Sequence, residues 1–87
     1  MARVLIYTTA MCPYCVAAKR LLTARAIAYE EIDVGGDPEA RLDLVRRTGR
    51  RTVPQIFIDG RSIGGFEELA ALEAGGELDE LGDDRGA

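Results

Sequence analysis

Two cysteines, Cys12 and Cys15, stand in this chain with Pro13 and Tyr14 between them, and the 87 residues hold no further cysteine and no histidine. That tetrapeptide constrains the fold more than any other stretch. Pro13 suits the first position of a helix, where its fixed φ helps and its missing N–H costs nothing. Cys12 then falls at the N-cap, facing unpaired backbone N–H groups and the positive end of the helix dipole. Cys15 falls one turn deeper, with a Cα separation that permits a disulfide. The short apolar run Val4–Tyr7 just upstream reads as a buried strand ending near Thr8. The pair is therefore predicted to sit on the loop where a strand hands over to a helix.

The same placement predicts unequal chemistry. A free thiol titrates near pKa ~8.5 and is a poor nucleophile at neutral pH, whereas a helix N-terminus stabilises the thiolate. Lys19 and Arg20 lie about two turns on, too far to be the main cause. Cys12 is expected to attack, and the less exposed Cys15 to resolve the mixed disulfide. Half of a zinc site is the competing reading, but a closed site needs four ligands and no third cysteine or histidine is available.

Eighty-seven residues suit a single domain, 1–87, and 47% apolar with 30% charged residues is globular composition. No apolar run approaches the roughly 18 residues that span a bilayer, and the N-terminal run is too short for a secretion signal. A cytoplasmic location and no membrane partner are expected, and in that compartment a cysteine pair reads as redox-active. Net charge is −4, yet Arg41, Arg46, Arg47, Arg50 and Arg51 cluster. No aromatic residues interleave with them, so nucleic acid is not expected and a solvated helix face is the plainer reading.

Further along, the helix that begins at Pro13 is expected to run to about Ala26, with Val16, Leu21 and Leu22 toward the core. Ala28–Val34 reads as a second strand. Asp37-Pro38-Glu39 marks the start of a second helix, which should stop at Gly49. Gln55–Ile58 and Arg61–Ile63 form a hairpin around Asp59-Gly60, and a third helix runs from Phe66 to about Ala74. The acidic tail, about 77–87, is expected to fray after Leu81. The order β-α-β-α-β-β-α gives an α/β fold with a mixed sheet. Pro54 must open its strand or sit in a special turn, and spacing alone favours a trans bond before it. Gly64-Gly65 reads as a tight turn or as a helix N-terminus whose bare N–H groups bind a carboxylate.

Taken together, Cys12-Pro13-Tyr14-Cys15, Thr52-Val53-Pro54-Gln55-Ile56-Phe57-Ile58 and Ile63-Gly64-Gly65 resemble the dithiol glutaredoxin family, in order and spacing from residue 3 to about 75. The resemblance implies a thioredoxin fold with a four-stranded mixed sheet flanked by helices, and a cis peptide before Pro54. It implies a groove for glutathione, the co-substrate, formed by Cys12, Tyr14, Thr52, Val53, Pro54, Gly64 and Gly65, with the glutathione cysteinyl backbone paired to Val53. No bound cofactor or metal is implied. The implied partners are glutathione and disulfide-containing or glutathionylated proteins, met by a monomer. Three positions depart from the pattern. Thr9 stands where the family usually has a lysine for a glutathione carboxylate. Glu67 replaces an aspartate, and Phe66 replaces the extra cysteine of some relatives, which excludes oxidation of a third thiol. With Thr9 offering only a hydroxyl, Arg51 is the expected cation for the glycine-end carboxylate, with Arg47 next. Two other roles stay open at this point: an electron donor reduced by thioredoxin reductase, and an iron–sulfur carrier bridged by Cys12 and glutathione.

Overall fold

The computed structural model describes residues 3–78; the expected fraying after Leu81 falls outside them. The elements run β1 (Val4–Thr8), α1 (Pro13–Ala24), β2 (Glu30–Asp33), α2 (Pro38–Thr48), β3 (Gln55–Ile58), β4 (Arg61–Gly64) and α3 (Phe66–Ala74). The four strands form one sheet in the order β2-β1-β3-β4. β1 pairs parallel with β2 and antiparallel with β3, and β3 pairs antiparallel with β4.

Alternation along the central strands gives the sheet two faces. Register sets Val4 opposite Ile58 and Ile6 opposite Ile56 on one face, and Leu5 opposite Phe57 and Tyr7 opposite Gln55 on the other. The first face packs with Ala18 and Leu22 of α1 and Leu69 of α3, and Ile27 and Leu78 close the same cluster. At the other face Arg47 of α2 lies with its guanidinium carbon 4.5 Å from the Phe57 ring centre. Its Nη1 donates to the Tyr7 hydroxyl at 3.0 Å.

Local chemistry explains where the elements begin and end. Asp37 caps α2, accepting from the Ala40 N–H at 3.0 Å, with Pro38 next in line. Gly49 ends that helix in the left-handed region, φ 73°. Asp59 and Gly60, at φ 52° and 81°, make the hairpin turn.

Three sequence expectations are corrected. Val16 is 43% exposed, because the buried stripe of α1 runs through Cys15, Ala18 and Leu22 and leaves Val16 outside it. α1 stops at Ala24, since Ala26 adopts φ 57°. β2 is only Glu30–Asp33, with Ala28 and Tyr29 before it and Val34 after it, although the Val34 N–H still donates to the Thr8 carbonyl at 2.9 Å. The Val53–Pro54 peptide is cis, as the family resemblance implied and spacing alone did not.

Candidate active site

Cys12 caps α1 as the sequence predicts. Its backbone is extended, φ −133° and ψ 101°, and its Sγ accepts the Cys15 N–H at 3.1 Å. The Val16 N–H in turn donates to the Cys12 carbonyl at 3.1 Å, which begins the helical ladder. Cys12 and Cys15 are joined as a disulfide with Cα atoms 5.2 Å apart. Cys12 is half-buried, whereas Cys15 is 1% exposed. An incoming sulfur can reach only the first of the two. When the bond is reduced, the N–H that now faces Cys12 Sγ is in place to stabilise its thiolate.

Across from the pair lies the turn before β3. Cys12 Sγ is 3.6 Å from the Val53 carbonyl oxygen, so the reactive sulfur and the Val53 backbone share one edge of the molecule. A groove of about 250 Å³ extends from there, with Tyr14 and Phe66 on one side and Thr52, Val53 and Pro54 on another. The Tyr14 and Phe66 rings stand 6.1 Å apart, centre to centre. Gly65, Glu67, Glu68 and Arg50 complete the lining.

Geometry favours glycine both at Gly64, the last residue of β4, and at Gly65, the N-cap of α3. Gly64 has φ 107°, which side chains other than glycine's rarely tolerate. A Cβ on Gly65 would stand 3.1 Å from the Pro54 carbonyl, so a side chain there would push the start of α3 and the cis-proline turn apart by a few tenths of an ångström. The Gly65 N–H donates to Glu68 Oε1 at 2.7 Å, and Arg50 Nη1 lies 3.3 Å from the same oxygen. The Gly65 N–H and, after it, the Arg50 guanidinium hold the Glu68 carboxyl below the usual glutamate range.

The structure thus brings Cys12, Tyr14, Thr52, Val53, Pro54, Gly65, Phe66 and Glu67 to one edge, with Gly64 just behind Gly65. Arg51 does not join them. It lines a separate depression with Pro38, Arg41, Leu42 and Val45, and its neighbour Arg50 faces the groove instead. Arg47, the next candidate, is held against Tyr7 and Phe57. Sequence reasoning missed Arg50 and Glu68. The second was within reach, since a glutamate three residues after a helix N-cap is the usual partner of the N-cap N–H.

Such an arrangement suits disulfide exchange: one sulfur is accessible and faces a helix N–H, its partner is buried behind it, and a proline turn borders the first. On a β2-β1-β3-β4 sheet it defines a thiol–disulfide oxidoreductase of thioredoxin fold. The glutaredoxin family profile matches residues 4–63. Glutaredoxin 3 of Escherichia coli K12 is 48% identical over 81 residues, which cover 93% of this chain and 98% of that protein. The solution structure of a Brucella melitensis glutaredoxin superposes with a TM-score of 0.83 at 47% identity, over 93% of this chain and 88% of that one. A buckwheat glutaredoxin–glutathione complex superposes with a TM-score of 0.84 at 28% identity, over 97% and 79%. The chain belongs to the glutaredoxin family.

Proposed function

We propose that this protein is a glutathione-dependent oxidoreductase, acting as a cytoplasmic monomer on glutathione mixed disulfides and on protein disulfides. The observation that carries the reading is the closeness of Cys12 Sγ to the Val53 carbonyl at the mouth of a groove that ends on the α3 N-terminus. A γ-glutamyl tripeptide is extended and carries a carboxylate at each end, so it suits backbone pairing in the middle and N–H or cationic partners beyond. The buckwheat relative that superposes on this chain is a complex with glutathione.

In the proposed reaction the Cys12 thiolate attacks the glutathione sulfur of a mixed disulfide. A Cys12–glutathione disulfide forms, and the target leaves as a thiolate that takes up a proton. A second glutathione thiolate then attacks that sulfur, giving glutathione disulfide and restoring Cys12. On a protein disulfide, Cys15 attacks Cys12 Sγ instead and releases the reduced target. The resulting Cys12–Cys15 disulfide is opened by two glutathiones. Tyr14 and Phe66 line the groove that receives the tripeptide, and the α1 N–H groups favour the thiolate as attacker and as leaving group.

An NADPH-coupled assay on a glutathione mixed disulfide tests this, with glutathione and its reductase in one arm and thioredoxin reductase in the other. Turnover in the first arm, lost in Cys12→Ser, is expected. Turnover only in the second would identify an electron donor for thioredoxin reductase. A brown purified protein would point to the iron–sulfur role.

A further inference from the structure

Gln55 opens β3 and is fully buried, 0% exposed, although its side chain is an amide. Its Nε2 donates to the Thr52 carbonyl at 3.0 Å and lies 3.3 Å from Thr52 Oγ1. A carbonyl can only accept, so the Thr52 oxygen fixes which end of the amide is the nitrogen. The other end, Oε1, is buried without a hydrogen-bond partner among the described residues. A buried acceptor left unpaired is a liability to stability, and native proteins keep few of them. An apolar side chain of the same size would avoid it. The amide is therefore best accounted for by what its nitrogen holds.

What it holds is the turn beside the reactive sulfur. Val53 and Pro54 lie between Gln55 and Thr52, which carries both acceptors, so the two contacts close a small ring that fixes the Thr52 peptide. Val53 is at the middle of that ring, and its carbonyl is the group 3.6 Å from Cys12 Sγ. Thr52 is exposed and Val53 half-buried, and the buried Gln55 amide holds the Thr52 peptide from the core side. We propose that Gln55 is a positioning residue: its buried amide anchors Thr52 and so sets the Val53 backbone where an extended disulfide substrate can pair with it. This rests on the substrate pairing given under the proposed function. Gln55 touches neither sulfur nor substrate; it acts through the turn.

The test is single-turnover oxidation of the pre-reduced protein by glutathione disulfide, in which two thiols of the protein reduce one disulfide to two glutathiones. No reductase is needed. Gln55→Met keeps the length and volume and removes both donated contacts. The concentration for half-maximal rate should rise about tenfold, while the rate at saturation stays within about twofold. Alkylation of Cys12 by iodoacetamide, which needs no Val53 pairing, should keep its rate and its pH profile. Thr52→Val removes the weaker acceptor, so it should shift half-saturation the same way but less, and it should add little in the Gln55→Met background. Should Gln55→Met not fold, Gln55→Asn, whose amide falls a methylene short of Thr52, takes its place with the same expectation. A variant that melts at lower temperature but keeps the half-saturation of the parent overturns the proposal and leaves Gln55 a structural residue. A parent protein that glutathione disulfide does not oxidise sinks the glutathione reading instead.

Discussion

The two sulfurs differ in reach, and that difference underlies the tasks proposed for them. Cys15 is closed off by α1 and the core, so its sulfur meets Cys12 and little else. Cys15→Ser should keep reduction of glutathione mixed disulfides, where free glutathione completes the cycle, and lose reduction of protein disulfides, which requires both thiols. The coupled assay run on both substrates checks this, and equal loss on both would contradict the assigned roles. Iodoacetamide should alkylate Cys12 of the reduced protein with a pH midpoint well below that of a free thiol, and Cys15 far more slowly. Glu68 adds a second residue-level effect. Its carboxylate already occupies the Gly65 N–H and places a negative charge beside a groove proposed to take an anionic tripeptide. Glu68→Gln keeps an acceptor for that N–H and removes the charge. At a half-exposed position a charge contact is worth up to about 1 kcal/mol, so KM for glutathione should fall roughly two- to fivefold. Because the Glu68 pKa lies below the usual glutamate range, the carboxyl is ionised across neutral and mildly acidic pH. The gain should therefore be the same at pH 6 and pH 8.

Helix ends separate what could be read in the sequence from what could not. Asp37-Pro38 and Asp59-Gly60 announce a cap and a turn by residue type, and each stands where its chemistry requires. The end of α1 has no such marker. Ile27 N–H donates to the Leu22 carbonyl at 2.9 Å and Ala26 N–H to the Thr23 carbonyl at 3.0 Å, which is a Schellman closure with alanine at the left-handed position. α3 closes in the same pattern, Glu77 N–H to Leu72 and Gly76 N–H to Glu73, with glycine at that position, φ 76°. An alanine written where a glycine is usual reads as more helix, hence the expected end at Ala26. The left-handed region costs a residue with a Cβ about 1–2 kcal/mol, and glycine gives part of that back through its freer unfolded chain. Ala26→Gly should stabilise the protein by about 0.5–1 kcal/mol, read as a higher denaturation midpoint at unchanged slope. A loss of stability would mean that the Ala26 methyl packs more than its backbone strains. The site shows the same division. Cys12, Thr52, Val53, Pro54 and the glycine pair are marked by residue type. Which of Arg50 and Arg51 faces the groove depends on the path of an irregular segment between Gly49 and β3, where no periodicity applies. Gln55 reads as an ordinary strand residue until its contacts are seen.

At the scale of the whole molecule, one apolar cluster between the sheet and α1 and α3 is supplemented by polar ties between elements. Glu31 of β2 accepts from Thr8 of β1 at 2.7 Å and from Lys19 of α1 at 2.9 Å, joining an edge strand to the centre of the fold. Glu68 joins α3 to the segment before β3 through Arg50. Lys19 and then Thr8 hold the Glu31 carboxyl below its ordinary range, as Gly65 and Arg50 do for Glu68. A carboxyl with a lowered folded-state pKa contributes stability above its unfolded value, about 4.3, and that stability is lost as pH falls through the folded value. These two ties should therefore hold steady from pH 8 down to about 5 and weaken only below that. Both are partly exposed and screened by solvent, so together they are worth no more than about 1–2 kcal/mol. In a domain of this size that amounts to roughly 4–16 °C in Tm. The double variant Glu31→Gln, Glu68→Gln should melt lower than the parent at pH 7, by an amount that shrinks with added salt. The gap should narrow below pH 4, as the parent's own carboxyls become protonated and the two proteins come to carry the same charge at these positions. Thermal melts at pH 7, 5 and 3 decide it. A gap of the same size at pH 3 would assign the loss to the shape of the glutamine side chains, and the tie between β2, β1 and α1 would then be one of packing, not of charge.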